Sequence, residues 1–102
     1  MDRALYLFVE FEWPAEVTKE VASLAHKLHT LVTEADWIDE AIAASGGMGG
    51  DMSSIWVFKL NEYAALDRLL RDTDDEIAQT YMQFFTQMAD VRDWIRDEVV
   101  FM

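Results

Sequence analysis

Cysteine is absent from this chain of 102 residues. That removes disulfide frameworks, thiolate metal sites and cysteine nucleophiles, fits a reducing compartment, and makes the cytoplasm the default location. Basic residues are also scarce: eight Lys and Arg stand against 20 Asp and Glu, for a formal net charge of -12. Such a field repels phosphate backbones and anionic bilayers, so neither nucleic acid nor a membrane surface is an expected partner. The acidity reads first as a solubility device and second as a means of meeting a cationic ligand or basic protein. The apolar run from Ala4 to Val9 is too short for a membrane span. Glu10 and Glu12 follow it where a signal peptide has small residues, so it reads as a strand. Proline occurs once, at Pro14, and all four glycines fall between Gly46 and Gly50.

Apolar residues are plentiful. They make up 52% of the chain, with 13% aromatic. This excludes disorder and predicts one folded domain over residues 1–102. Residues 4 to 12 are β-branched and aromatic-rich, and Pro14 ends that first strand. From Ala15 to about Glu34, Val17, Val21, Leu24, Ala25, Leu28, Leu31 and Val32 recur at helical spacing. Trp37 to Ser45 admits either a strand or a second helix, and a strand is favoured. The glycine-rich segment breaks either structure and gives a hairpin-like connection. Ile55, Trp56, Val57 and Phe58 then form a continuous apolar run of strand length, as expected of a strand buried on both faces. Asn61 is placed to cap a helix with the stripe Tyr63, Leu66, Leu69 and Leu70, ending near Asp72. Thr73 to Glu76 has the form of a capping box for a further helix with the stripe Ile77, Tyr81, Phe84, Phe85 and Met88. The tail from Val91 to Phe101 tolerates a helix but ends in β-branched and aromatic residues, and is read as the last strand. Val91, Ile95, Val99 and Phe101 share one of its sides with Asp93 and Asp97.

The order β-α-β-β-α-β, with its second helical region split, defines an α+β ferredoxin-like sandwich in which helices cover only one sheet face. Alternation sends Leu5, Leu7, Val9 and Phe11 toward the helices and Tyr6, Phe8, Glu10 and Glu12 to the opposite face. Trp56, Phe58 and Leu60 are expected on that opposite face too. Leaving Phe8, Trp56, Phe58 and Trp94 in water would forfeit roughly 1.5–3 kcal/mol each, against a typical total stability of roughly 5–15 kcal/mol. An identical sheet across a two-fold axis is the simplest cover, so a homodimer is expected.

The strand-to-helix passage from Ser54 to Leu70 (SIWVFKLNEYAALDRLL), the glycine-rich turn before it and the opening strand Leu5 to Val9 carry a resemblance. The chain resembles the dimeric α+β barrel superfamily, which includes YCII-like proteins, muconolactone isomerases, antibiotic-biosynthesis-type monooxygenases and EthD-like proteins. The resemblance implies the ferredoxin-like fold and a homodimeric barrel. For chemistry it implies a cofactor-free isomerase or monooxygenase-like activity, or binding of a small apolar or aromatic molecule. It is one of shape and transfers no catalytic residue.

His26 and His29 are three residues apart, a spacing that could serve a metal, but the helical phase turns His26 away from the apolar stripe and leaves His29 at its border. They read as solvated. A YCII-like histidine near the start of the first helix has no counterpart, and haem, bound by some superfamily members, finds no imidazole aimed into a barrel. Asp39, Glu40, Asp72, Asp74, Asp75 and Glu76 lack the spacing of a calcium loop and read as a solvated face and a helix cap. Gly46 to Gly50 matches neither a P-loop nor a dinucleotide fingerprint and reads as a flexible rim. No metal or cofactor is expected. One constellation remains: Tyr6, Phe8 and Glu10 of the first strand, Trp56 and Phe58 of the third, and Trp94, Arg96 and Glu98 of the last. Parity places them on one face. An incompletely filled barrel would make of them an aromatic cavity holding a few charges, with Glu10 as a general base raised in pKa by burial and Arg96 as an anion holder. In the competing reading the barrel is filled, Glu10 and Arg96 are paired or sit at its rim, and the protein is a non-catalytic homodimeric interaction module.

Overall fold

A computed structural model describes residues 3–46 and 53–101. The elements are β1 (Leu5–Glu12), α1 (Lys19–Glu34), β2 (Ile38–Ser45), β3 (Ser54–Leu60), α2 (Tyr63–Arg71), α3 (Glu76–Thr86) and β4 (Ala89–Asp97). This is the expected ferredoxin-like order with a divided second helix. The strands form one antiparallel sheet in the order β2-β3-β1-β4. Of the glycine-rich connection only Gly46 is described. It takes the left-handed φ of 72° that a residue without Cβ adopts freely. Gly47, Gly49 and Gly50 lie outside the described residues.

All three helices pack on the sheet face that carries Leu5, Leu7, Val9 and Phe11. Leu28 and Val32 of α1, Leu66 and Leu69 of α2, and Tyr81, Phe84 and Phe85 of α3 share one buried cluster with that row. Aromatic rings form its centre. Phe11 meets Phe84 and Phe85 edge-on at centroid distances of 5.7 and 5.3 Å, a favoured arrangement for ring quadrupoles. Pairing register also decides which side chains of β3 join this core. Leu7 is opposite Phe58, Val9 opposite Trp56 and Leu5 opposite Leu60, so these three β3 residues point to the helices and not to the opposite face. Trp56 stacks on Phe84 at 5.2 Å, and Phe58 meets Tyr81 at 5.8 Å. The expected placement of Trp56, Phe58 and Leu60 is therefore corrected. Their run has no alternation of its own, and parity in such a strand comes only from register.

Local signals are shifted at several ends. α1 begins at Lys19 and not at Ala15, because Thr18 takes the N-cap position and its hydroxyl accepts from Val21 N–H. Val17 is left exposed outside the stripe. α2 starts one residue beyond the expected cap, with Glu62 and not Asn61 at the N-cap position and no side-chain bond there. β4 ends at Asp97, so Val99 and Phe101 lie beyond it and are exposed.

The expected capping box at Thr73 is replaced by a cap at Asp75. Asp72 accepts from Asp74 N–H and closes a turn, which moves the helix start two residues along. Asp75 then accepts from the N–H groups of Ile77 and Ala78, and from Arg68 Nε at 2.8 Å. Partial burial pushes the Asp75 carboxyl up. The Arg68 hydrogen bond, the two backbone bonds and the Arg68 charge outweigh that and hold it below its ordinary value of 3.8. Arg68 in turn lies over the Trp37 ring at 4.3 Å, so one cation ties α2, the α3 cap and the turn leading into β2 together. Asp75→Ala is expected to lower stability by about 1–2 kcal/mol at neutral pH in urea unfolding. Since the folded-state pKa is the lower one, the charge-dependent part is complete above pH 3.8 and fades as pH falls further, so the gap between the two chains should narrow there.

Candidate functional site

The sheet face away from the helices is organised in three cross-strand rows. The middle row, Ile42–Val57–Phe8–Trp94, is wholly apolar and crosses all four strands. On one side of it lies Glu40–Lys59–Tyr6–Arg96, and on the other Ala44–Ile55–Glu10–Arg92. Phe8 and Trp94 are directly opposed, and their rings stack at 5.6 Å with only 3° between planes. Tyr6 lies 6.3 Å from Phe8. Ile42, at the far end of the belt, is 49% exposed, a large apolar side chain with nothing over it. Alternation in β1 causes this arrangement: the strand is apolar at nearly every position, so burying Leu5, Leu7, Val9 and Phe11 leaves Tyr6 and Phe8 on the other side.

Charge on this face is mixed. Alternation and register give it Glu10, Glu12 and Glu40 against Lys59, Arg92 and Arg96, with further carboxylates from Glu98 and Asp90 at its ends. Most of the acid excess behind the net charge of -12 is carried elsewhere. Arg92 pairs with Glu10 across β1 and β4. Arg96 donates to the Ile95 carbonyl at 2.8 Å.

Of the eight residues anticipated as a pocket, Tyr6, Phe8, Glu10, Trp94 and Arg96 share this face. Glu98 lies past the end of β4, where its carboxylate accepts from Ala4 N–H at 3.1 Å and its own N–H donates to the Ala4 carbonyl. It prolongs the β1–β4 pairing and sits at the end of the face. Trp56 and Phe58 are on the far side of the sheet, 6% and 0% exposed. Their place among the apolar residues is taken by Val57 and Ile55, the alternate positions of β3, together with Ile42 of β2. Glu10 is paired with Arg92 and not with Arg96, because antiparallel register sets Glu10 against Arg92 and Tyr6 against Arg96.

Neither histidine reaches this face. His26 is exposed on α1, and His29 approaches Trp56 edge-on at 6.4 Å from the helical side. The open face therefore carries no imidazole for an axial haem bond. Among the described residues no group of three or more His, Cys, Asp or Glu is placed to hold a metal ion, and no helix is long and apolar enough to cross a membrane.

No family model matches the sequence, and none of the curated proteins does. Solved structures do match in shape. A hydroxynitrile lyase from Passiflora edulis superposes with a TM-score of 0.76 at 7% identity, covering 100% of this chain and 99% of that one. A dimeric ferredoxin-like protein of unknown function from Jannaschia sp. CCS1 gives 0.67 at 15% identity over 95% and 99% of the two chains. SnoaB, a cofactor-independent oxygenase from Streptomyces nogalater, gives 0.66 at 10% identity over 100% and 98%. The fold these structures share with this chain is the α+β ferredoxin-like one. At these identities the likeness concerns the backbone alone. The fold accounts for the helix-free face, and the residues on that face are this chain's own.

Proposed function

We propose that the protein is a homodimer whose two open faces meet to form a barrel, and that the barrel takes a small apolar or aromatic molecule without a cofactor. The observation that carries this reading is the apolar belt Ile42–Val57–Phe8–Trp94, flanked by rows that each hold both signs of charge. A second copy is the occupant that fits it. A two-fold operation lays belt against belt and lets acidic positions of one flank face basic positions of another, and the three cations on this face lessen the repulsion that a net charge of -12 would otherwise bring. The dimeric description of the Jannaschia protein and the cofactor-independent oxygenase activity of SnoaB support the assembly and the chemistry by analogy of fold.

In this reading the Phe8–Trp94 stack is the floor of the compartment, and Tyr6 supplies a phenol at its edge. The Glu10–Arg92 pair walls the opposite end. A carboxylate already engaged by an arginine serves more readily as a wall than as a base. It also favours the second reading, a barrel filled by side chains that acts as an interaction module.

Native mass spectrometry of the purified protein under gentle and then denaturing conditions tests both parts. A dimer releasing a retained small molecule supports the compartment, and a dimer with no ligand supports the filled barrel. A monomer at micromolar concentration would remove the reading altogether.

A further inference from the structure

β4 is an edge strand, and its helix-side row Val91, Asp93, Ile95, Asp97 extends beyond the helical layer, leaving Val91 and Ile95 about 40% exposed. Between this row and α3 lies a cleft of about 270 Å³. Its apolar walls are Leu70, Met82, Phe85 and Val91, and its polar groups come from Tyr81 and Asp93. The remaining hydroxyl, that of Thr86, is occupied by the Met82 carbonyl at 2.7 Å. Leu70, Met82 and Thr86 also border a neighbouring groove of about 630 Å³ along the helices. The size suits one ring with a short arm, since an apolar cavity of about 150 Å³ already holds benzene.

Neither the Tyr81 hydroxyl nor the Asp93 carboxylate makes a hydrogen bond or an ion pair among the described residues. Elsewhere on the same row the tyrosine–aspartate chemistry is used up, with Tyr63 donating to Asp97 at 3.2 Å. Tyr81 is 8% exposed, its ring fixed against Phe85 at 4.6 Å. Burial, and then the charge of Asp93, push its phenol well above the ordinary tyrosine range, so the ring stays neutral. None of the residues lining the cleft is a cation. The Asp93 carboxylate, exposed at the rim of this apolar cleft, repels anions, and a single carboxylate gives a metal ion too few ligands.

We propose that the α3–β4 cleft is a binding site for a small organic ammonium ion, an alkyl or arylalkyl amine. Its apolar body lies against Leu70, Met82 and Phe85, while its ammonium donates to the Asp93 carboxylate and the Tyr81 oxygen. The ammonium group has three donors and no acceptor, and the carboxylate and the phenol oxygen both accept. The acidic surface of the chain raises the local concentration of such a cation. This site is on the helical side of the sheet and stands independently of the barrel.

Calorimetric titration with benzylamine, benzyl alcohol and benzoate tests it. Benzylamine is expected to bind saturably, benzyl alcohol more weakly and benzoate not at all. Asp93→Asn should weaken benzylamine at least about tenfold, as expected for loss of a charge-assisted bond. Tyr81→Phe should weaken it by a smaller factor. Asp93 is exposed on an edge strand, so its variant should keep the circular dichroism of the unchanged chain. An open-face change, Trp94→Glu, should leave benzylamine binding as it was, which separates this site from the barrel. Equal binding of benzylamine and benzyl alcohol, undiminished binding to Asp93→Asn, or no saturable heat with benzylamine would each overturn the proposal.

Discussion

Trp94→Glu is expected to run as a monomer at concentrations where the unchanged chain forms the proposed dimer. Trp94 is half-buried in one copy, stacked on Phe8 at the end of the apolar belt, and part of its surface stays open among the described residues. Full burial of an aromatic of this kind contributes roughly 1.5–3 kcal/mol; with Trp94 already half-buried, about half of that is lost, once from each copy of a two-fold interface. The dissociation constant should therefore rise roughly 10- to 10²-fold, before counting the cost of desolvating the two new carboxylates. Sedimentation velocity over a concentration series reads this directly. Circular dichroism should be nearly unchanged, because β4 is an edge strand and the helical core does not include Trp94. Val17→Glu places the same charge at an exposed apolar residue just before α1 and should leave the mass unaltered. If Trp94→Glu keeps the dimer mass, the open face is not the interface, and the barrel proposal falls with it.

The contrast between β1 and β3 shows how much of the site could be read from the sequence. β1 could be assigned from its own residues: Glu10 and Glu12 mark one side of an otherwise apolar strand, and burying the other side puts Tyr6 and Phe8 on the open face. β3 could not. Ile55, Trp56, Val57 and Phe58 are all apolar, and both possible parities bury two of them. Only the register Leu7↔Phe58 settles that the larger pair faces the helices. The same dependence on register made Arg92, and not Arg96, the partner of Glu10. The cap of α3 slipped for a different reason: Asp72, Asp74 and Asp75 are all competent turn or cap residues, and propensity does not rank them until the turn closed by Asp72 is in place. The α3–β4 cleft had no sequence signal at all, since Tyr81 read as one member of a core stripe and Asp93 as a blemish in a strand. Their neighbourhood is created by the overhang of β4 beyond the helices.

Phe58→Ala puts the register itself to the test and carries the largest expected loss of stability. Phe58 is fully buried, opposite Leu7 on the helix side, with its ring 5.8 Å from Tyr81 and 6.0 Å from Trp56. Truncating a buried phenylalanine removes its transfer free energy and leaves a cavity that tightly interlocked aromatic neighbours cannot close, at a cost of about 3–5 kcal/mol. For a domain near this size that corresponds to a fall in Tm of roughly 15 °C or more. Trp56→Ala should be of similar magnitude, because Trp56 stacks on Phe84 and meets Phe85 edge-on at 6.0 Å. The decisive comparison is with Trp94→Glu. A residue of the helical core should lower the unfolding transition while the folded fraction keeps its dimer mass, whereas a residue of the open face should dissociate the dimer while each copy stays folded. If Phe58→Ala instead produced folded monomers with an intact transition, Phe58 would belong to the open face, the β1–β3 register would be wrong by one residue, and Val57 would take its place in the core.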